Sequence, residues 1–186
     1  PRGAINARRV IVVGLGKADS FDLEGVRRAA AVAIKQARDL NARHVATIVH
    51  GAGIGGLDVG AAAQATIEGS LLATYRFDAQ KKKEPANEIS DLTVMEFDAG
   101  RLGAIRTGVE RATAIVAGVT LARDLVNMPP NVATPTRLAE AAQTIAAAHG
   151  LGVIVGDRDW AAERKMGAFL AVAKGAGEPP KFIVLE

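Results

Sequence analysis

Gly51-Ala52-Gly53-Ile54-Gly55-Gly56 is the stretch whose residue types and spacing come nearest to a binding chemistry. It spells G-x-G-x-x-G between a β-branched run ending at His50 and an alanine-rich helical pattern from Asp58. Glycines so placed let backbone amides and a helix N-terminus approach a pyrophosphate. A dinucleotide site also needs an acid closing a second strand, about 20 residues further on. At that distance stand Arg76 and Asp78, directly behind a helical pattern and with no strand before them; the nearest strand-end acid is Asp98. Two readings stay open, a nucleotide-binding loop and a mobile or tightly turning glycine loop, and the missing acid favours the second. Gly14-Leu15-Gly16-Lys17 has neither the length nor the Ser/Thr of a phosphate-binding loop, and reads as a strand-to-helix turn.

Metal and nucleophile chemistry find less to work with. His44 and His50 lie six apart on one expected strand and so share a face, but no third ligand follows nearby. His149 falls at a helix C-terminus, where it can bond terminal carbonyls. Asp157 and Asp159 open a helix, the end whose dipole favours acids. Asp91, Glu96 and Asp98 flank a strand without a partnering lysine or histidine, and two-metal hydrolysis needs several oxygen ligands together. Ser20, Ser70 and Ser90 stand in no nucleophile elbow. With no cysteine in the chain, disulfides, thiolate metal sites and cysteine nucleophiles are all excluded. No complete set of catalytic, cofactor-binding or metal-binding residues emerges.

The elements that position these residues alternate. Arg8–Gly14 reads as a buried β-branched strand, and Asp19 or Ser20 as the cap of a helix over about Asp22–Asp39. That helix shows an apolar face of Val26, Ala29, Ala30, Ala33, Ile34 and Ala37. His44–His50 is a second strand. Asp58–Tyr75 is a helix in which Gly60 and Gly69 permit close packing, Leu92–Phe97 a third strand, and Gly100–Val126 one long helical pattern. Pro129 and Pro130 then stop the helix, and Thr134-Pro135 restarts one with a cap and an N1 proline. Beyond this joint come a helix to His149 stopped by Gly150, a strand Leu151–Val155 and a short helix Asp157–Lys165. Two further strands, Ala168–Ala173 and Lys181–Leu185, follow. The alternation predicts an α/β fold with parallel or mixed sheets. The expected domains are 1–126 and 127–186.

Composition is that of an ordinary globular protein, with 49% hydrophobic and 23% charged residues arguing against disorder. Net charge is +3, yet the only basic run is Lys81-Lys82-Lys83, flanked by loop residues, so a solvated loop is favoured over nucleic-acid binding. No apolar run reaches the roughly 18 residues of a membrane span, and no signal-peptide pattern is present. Pro1 and Glu186 read as cut ends.

Arg123-Asp124-Leu125-Val126-Asn127-Met128-Pro129-Pro130-Asn131-Val132-Ala133-Thr134-Pro135 resembles the inter-domain signature of the leucyl aminopeptidase (cytosol aminopeptidase, M17) family. Met128 stands where threonine is common in that family. The likeness continues at Val12–Lys17, Tyr75–Asp78, Met166–Val172 and Glu178–Glu186, almost the whole chain. It implies a macrodomain-like N-terminal α/β domain without its first strands, joined by a long helix to the first β-α units of the catalytic domain. The chain stops before the family's metal ligands, so no catalytic or metal residue carries over. For the complete enzyme the resemblance implies a cytoplasmic homohexameric metalloprotease with two divalent ions, Zn or Mn. It would release N-terminal amino acids, often leucine, from peptides, this segment serving assembly and access to the active sites. The alternatives are a macrodomain-like nucleotide-binding module and a nucleic-acid-binding module.

Overall fold

The computed structural model describes residues 3–53, 55–79 and 88–186; Ile54 of the glycine motif and Lys81–Lys83 lie outside them. The chain divides into two units, one ending at Leu121 and the other beginning at Ala122.

In the first unit, helix α1 (Leu23–Asp39) begins where the Asp22 side chain accepts the Gly25 N–H at 2.8 Å. The cap is therefore Asp22, not Asp19 or Ser20, because residues 18–20 are occupied by a short 3-10 turn. Val26, Ala29, Ala30, Ile34 and Ala37 form its buried stripe, as the periodicity predicts. Asn41, at φ 57°, turns the chain out of the helix.

Strand β1 (His44–Ile48) pairs in parallel with β2 (Asp91–Met95), from His44 opposite Asp91 to Ile48 opposite Met95. Between them runs α2 (Val59–Thr74), capped by Asp58 through the Ala61 N–H at 2.8 Å. Helix α2 is buried on much of its circumference, including Ala62, Ala63 and Ala65. Its interior hydroxyls stay satisfied on their own helix: Thr66 donates to the Ala62 carbonyl and Ser70 to that of Thr66, both at 2.8 Å.

Helix α3 (Leu102–Asn127) follows a 3-10 turn at Ala99–Arg101 and buries Ile105, Gly108, Ala112 and Val116, one stripe at helical spacing. Missing side chains let these helices approach closely. A Cβ on Gly69 would stand 2.2 Å from the Arg27 carbonyl oxygen, and one on Gly108 would stand 2.3 Å from that of Gly60. The core joins Val49, Ala52, Ala62, Ala63 and Ile105.

The second unit carries α4 (Pro135–His149), opened by the Thr134 hydroxyl accepting the Arg137 N–H and closed by Gly150 at φ 66°. Strand β3 (Val153–Gly156) pairs antiparallel with β4 (Phe182–Leu185). Helices α5 (Arg158–Glu163) and α6 (Gly167–Ala173) lie between them in sequence. Trp160 stacks on Phe182 at 5.5 Å between ring centres, and Phe169 meets Phe182 edge-on at 5.7 Å.

Two expected strands are not strands. Arg8–Gly14 belongs to neither sheet, and Val12 is 89% exposed. Its β-branched residues favour extended backbone, but a strand also requires a partner edge, which is a tertiary property. Ala168–Ala173 is part of α6, which half-buries Phe169, Leu170 and Ala173 while Val172 points outward. An apolar run this short has no decisive period, and the packing of Phe169 on Phe182 selects the helix.

Candidate functional site

The carboxyl edge of a parallel strand pair is where α/β folds place ligands. In the first unit this edge gathers the glycine turn behind β1, the start of α2, and the segment leaving β2. Gly51 turns the chain at φ 80°, and Gly56 does so at φ 68°. The Leu57 N–H donates to the Gly51 carbonyl at 3.1 Å, and the Gly56 N–H to that of Gly53 at 3.3 Å. A side chain at 51 would stand 2.8 Å from both Leu57 and Phe21, and one at 55 would meet the Gly51 carbonyl oxygen at 2.8 Å. These glycines are required for the chain to fold back on itself. Two of the amides that a phosphate would need are spent within the turn.

The charges around the turn are also committed. Asp58 caps α2, so an acid already occupies the helix N-terminus. Glu96 accepts the N–H groups of Phe97 and Asp98 at 2.8 and 3.1 Å. Asp98 accepts the Gly100 N–H at 2.9 Å. Arg101 reaches Asp98 at 3.3 Å and Glu96 at 4.0 Å, and donates to the Ala52 carbonyl at 3.4 Å, tying β2's exit to the glycine turn. Three carboxylates and one shared cation make this edge unfavourable for a pyrophosphate.

The histidines separate. His44, at the exposed start of β1, holds Asp91 across the strand pair with Nδ1 at 2.7 Å from the carboxylate. His50 lies beyond the strand, which ends at Ile48, and burial pushes its pKa below the ordinary histidine range. The two therefore do not share a strand face, a correction to the spacing argument. His149 ends α4 and Asp157 caps α5, its oxygen accepting the Trp160 N–H at 2.9 Å. That bond, foremost, holds the Asp157 carboxyl below the usual carboxylate range. Asp159 lies in the first turn of the same helix. Among the described residues, no group of three or more histidine and carboxylate side chains is placed to hold a metal ion. Asp58, Asp91, Glu96, Asp98 and Asp157 are each already engaged by a hydrogen-bonding or ion-pair partner within the chain.

Sequence reasoning passed over Glu68, a buried acid of the first unit. It accepts Arg27 Nε at 2.6 Å and Gln64 Nε2 at 2.7 Å, linking α1 to α2, and its bond raises the Arg27 pKa further. The signal available was Gln64 and Glu68 at i, i+4 within a helix that carries no other charged residue. Its geometry is that of a structural clamp, with both oxygens engaged.

Comparison with known proteins supplies what the site does not. The N-terminal domain model of the cytosol aminopeptidase family matches residues 2–84, and that family's catalytic domain model matches residues 120–186. A probable cytosol aminopeptidase of Roseiflexus castenholzii is 40% identical, over 100% of this chain and 38% of its own length. One from Geotalea uraniireducens is 39% identical, over 99% of this chain and 37% of its own. Among solved structures, the bottromycin maturation enzyme BotP in complex with Mn superposes with a TM-score of 0.81 at 28% identity, covering 93% of this chain and 35% of BotP. A tomato leucine aminopeptidase mutant superposes at 0.77 and 31% identity, covering 87% and 32%. The chain thus spans little more than a third of the curated relatives named here. Among the described residues no helix is long and apolar enough to cross a membrane.

Proposed function

Because this chain belongs to the cytosol aminopeptidase family, we propose that it is the N-terminal domain and opening segments of the catalytic domain of a metal-dependent exopeptidase. The whole enzyme releases N-terminal residues, leucine often among them, from peptides. One observation carries this reading: the family's two domain models match one chain in order, at residues 2–84 and 120–186, the second match beginning within the last turns of the long helix α3. We place the boundary at Asn127, where α3 ends before Pro129-Pro130.

In this proposal the segment contributes assembly and access to the active sites, and catalysis requires the rest of the enzyme. The N-terminal part is macrodomain-like, and the assembly is a homohexamer in the cytoplasm. Two divalent ions, Zn or Mn, are held outside this chain; the manganese in BotP supports Mn. Such ions polarise a scissile carbonyl and lower the pKa of a bound water. The residues here supply no ligand to them.

The test is hydrolysis of leucyl-p-nitroanilide, with added Mn2+ or Zn2+, by the 186-residue chain and by the enzyme purified at its native mass. The native-mass enzyme is expected to turn over and to lose activity with a chelator, while the 186-residue chain does not turn over. Metal-dependent turnover by the chain alone overturns the division of labour. Absence of peptidase activity at native mass, with either metal, overturns the assignment.

A nucleotide-binding role has one observation in its favour, the glycine turn at the carboxyl edge of β1. Its test is a thermal shift with ADP-ribose or NAD, lost on Gly53→Val. The committed amides and the acidic surroundings of the turn lead to no shift at millimolar ligand.

A further inference from the structure

We draw no further inference here: the strongest candidate, the open face of the β1–β2 strand pair where Ile48, Met95 and Phe97 are exposed, carries nothing because nothing in the structure shows what covers it.

Discussion

Replacing Gly69 and Gly118 by alanine, one at a time, applies the same chemical change to two helix interiors and should move stability in opposite directions. Gly69 lies in α2, where a Cβ would sit 2.2 Å from the Arg27 carbonyl oxygen and 2.8 Å from that residue's Cα. Ordinary C···O contacts begin at about 3.3 Å, so α1 must retreat by about 1 Å. No side-chain rotation relieves the overlap, because the opposing atoms are backbone. A gap of that size forfeits roughly a quarter to a half of each van der Waals well along the α1–α2 seam. Overpacking of this kind costs about 1–3 kcal/mol, and a backbone obstacle argues for the upper end. Alanine's better helix propensity returns about 1 kcal/mol, leaving a net loss of about 2 kcal/mol. Gly118 in α3 has nothing within 4 Å of its Cβ position, so only the propensity gain operates there. For a chain of this length, about 2–4 °C per kcal/mol predicts that Gly69→Ala lowers the melting temperature by roughly 4–8 °C and Gly118→Ala raises it by roughly 2–4 °C. Thermal melts followed by far-UV circular dichroism read both variants. Equal shifts of the two, or a Gly69→Ala protein as stable as the parent, would falsify the close-approach account of α1 on α2.

Three further outcomes follow from the same geometry. Glu68→Ala frees Arg27 and Gln64 at the helix interface; because the Arg27 side chain is 35% exposed and recovers water, the loss is expected at about 1–2 kcal/mol in urea titration. His50 is held neutral by burial, so its folded pKa lies below the unfolded one and the unfolded chain takes up the proton first. Stability is therefore complete above the ordinary value of 6.5 and falls as pH drops below it; urea midpoints at pH 7.5 and 5.5 should differ, and His50→Gln should reduce that difference. Thr134→Ala removes the hydroxyl that accepts the Arg137 N–H at 3.2 Å, and should cost about 1 kcal/mol, read as faster amide exchange in the first turn of α4.

Local chemistry was sufficient wherever one residue type has one good use. Asp58, Thr134 and Asp157 cap the helices that their positions announce, Gly150 ends α4 at φ 66°, and the prolines after Asn127 stop α3. Such signals act within four residues, so no distant partner can overrule them. The periodic stripe of α1 is legible for the same reason. Gly60 and Gly69 were also readable as points of close approach, though only the structure names what approaches: the Ala104 carbonyl, with its oxygen 3.3 Å from a Cβ at 60, and the Arg27 backbone at 69. What sequence left open depends on partners far along the chain. Whether Val10–Val13 pairs, whether Ala168–Ala173 coils, and whether His44 meets His50 or Asp91 are all decided by neighbours that no local window contains. The glycine motif shows the same limit. Its spelling permits a phosphate, but the tertiary structure spends the Gly56 and Leu57 amides within the turn and sets Glu96, Asp98 and Arg101 beside it. Spacing specifies which backbone conformations are available; the charges that fold in around them decide what can bind.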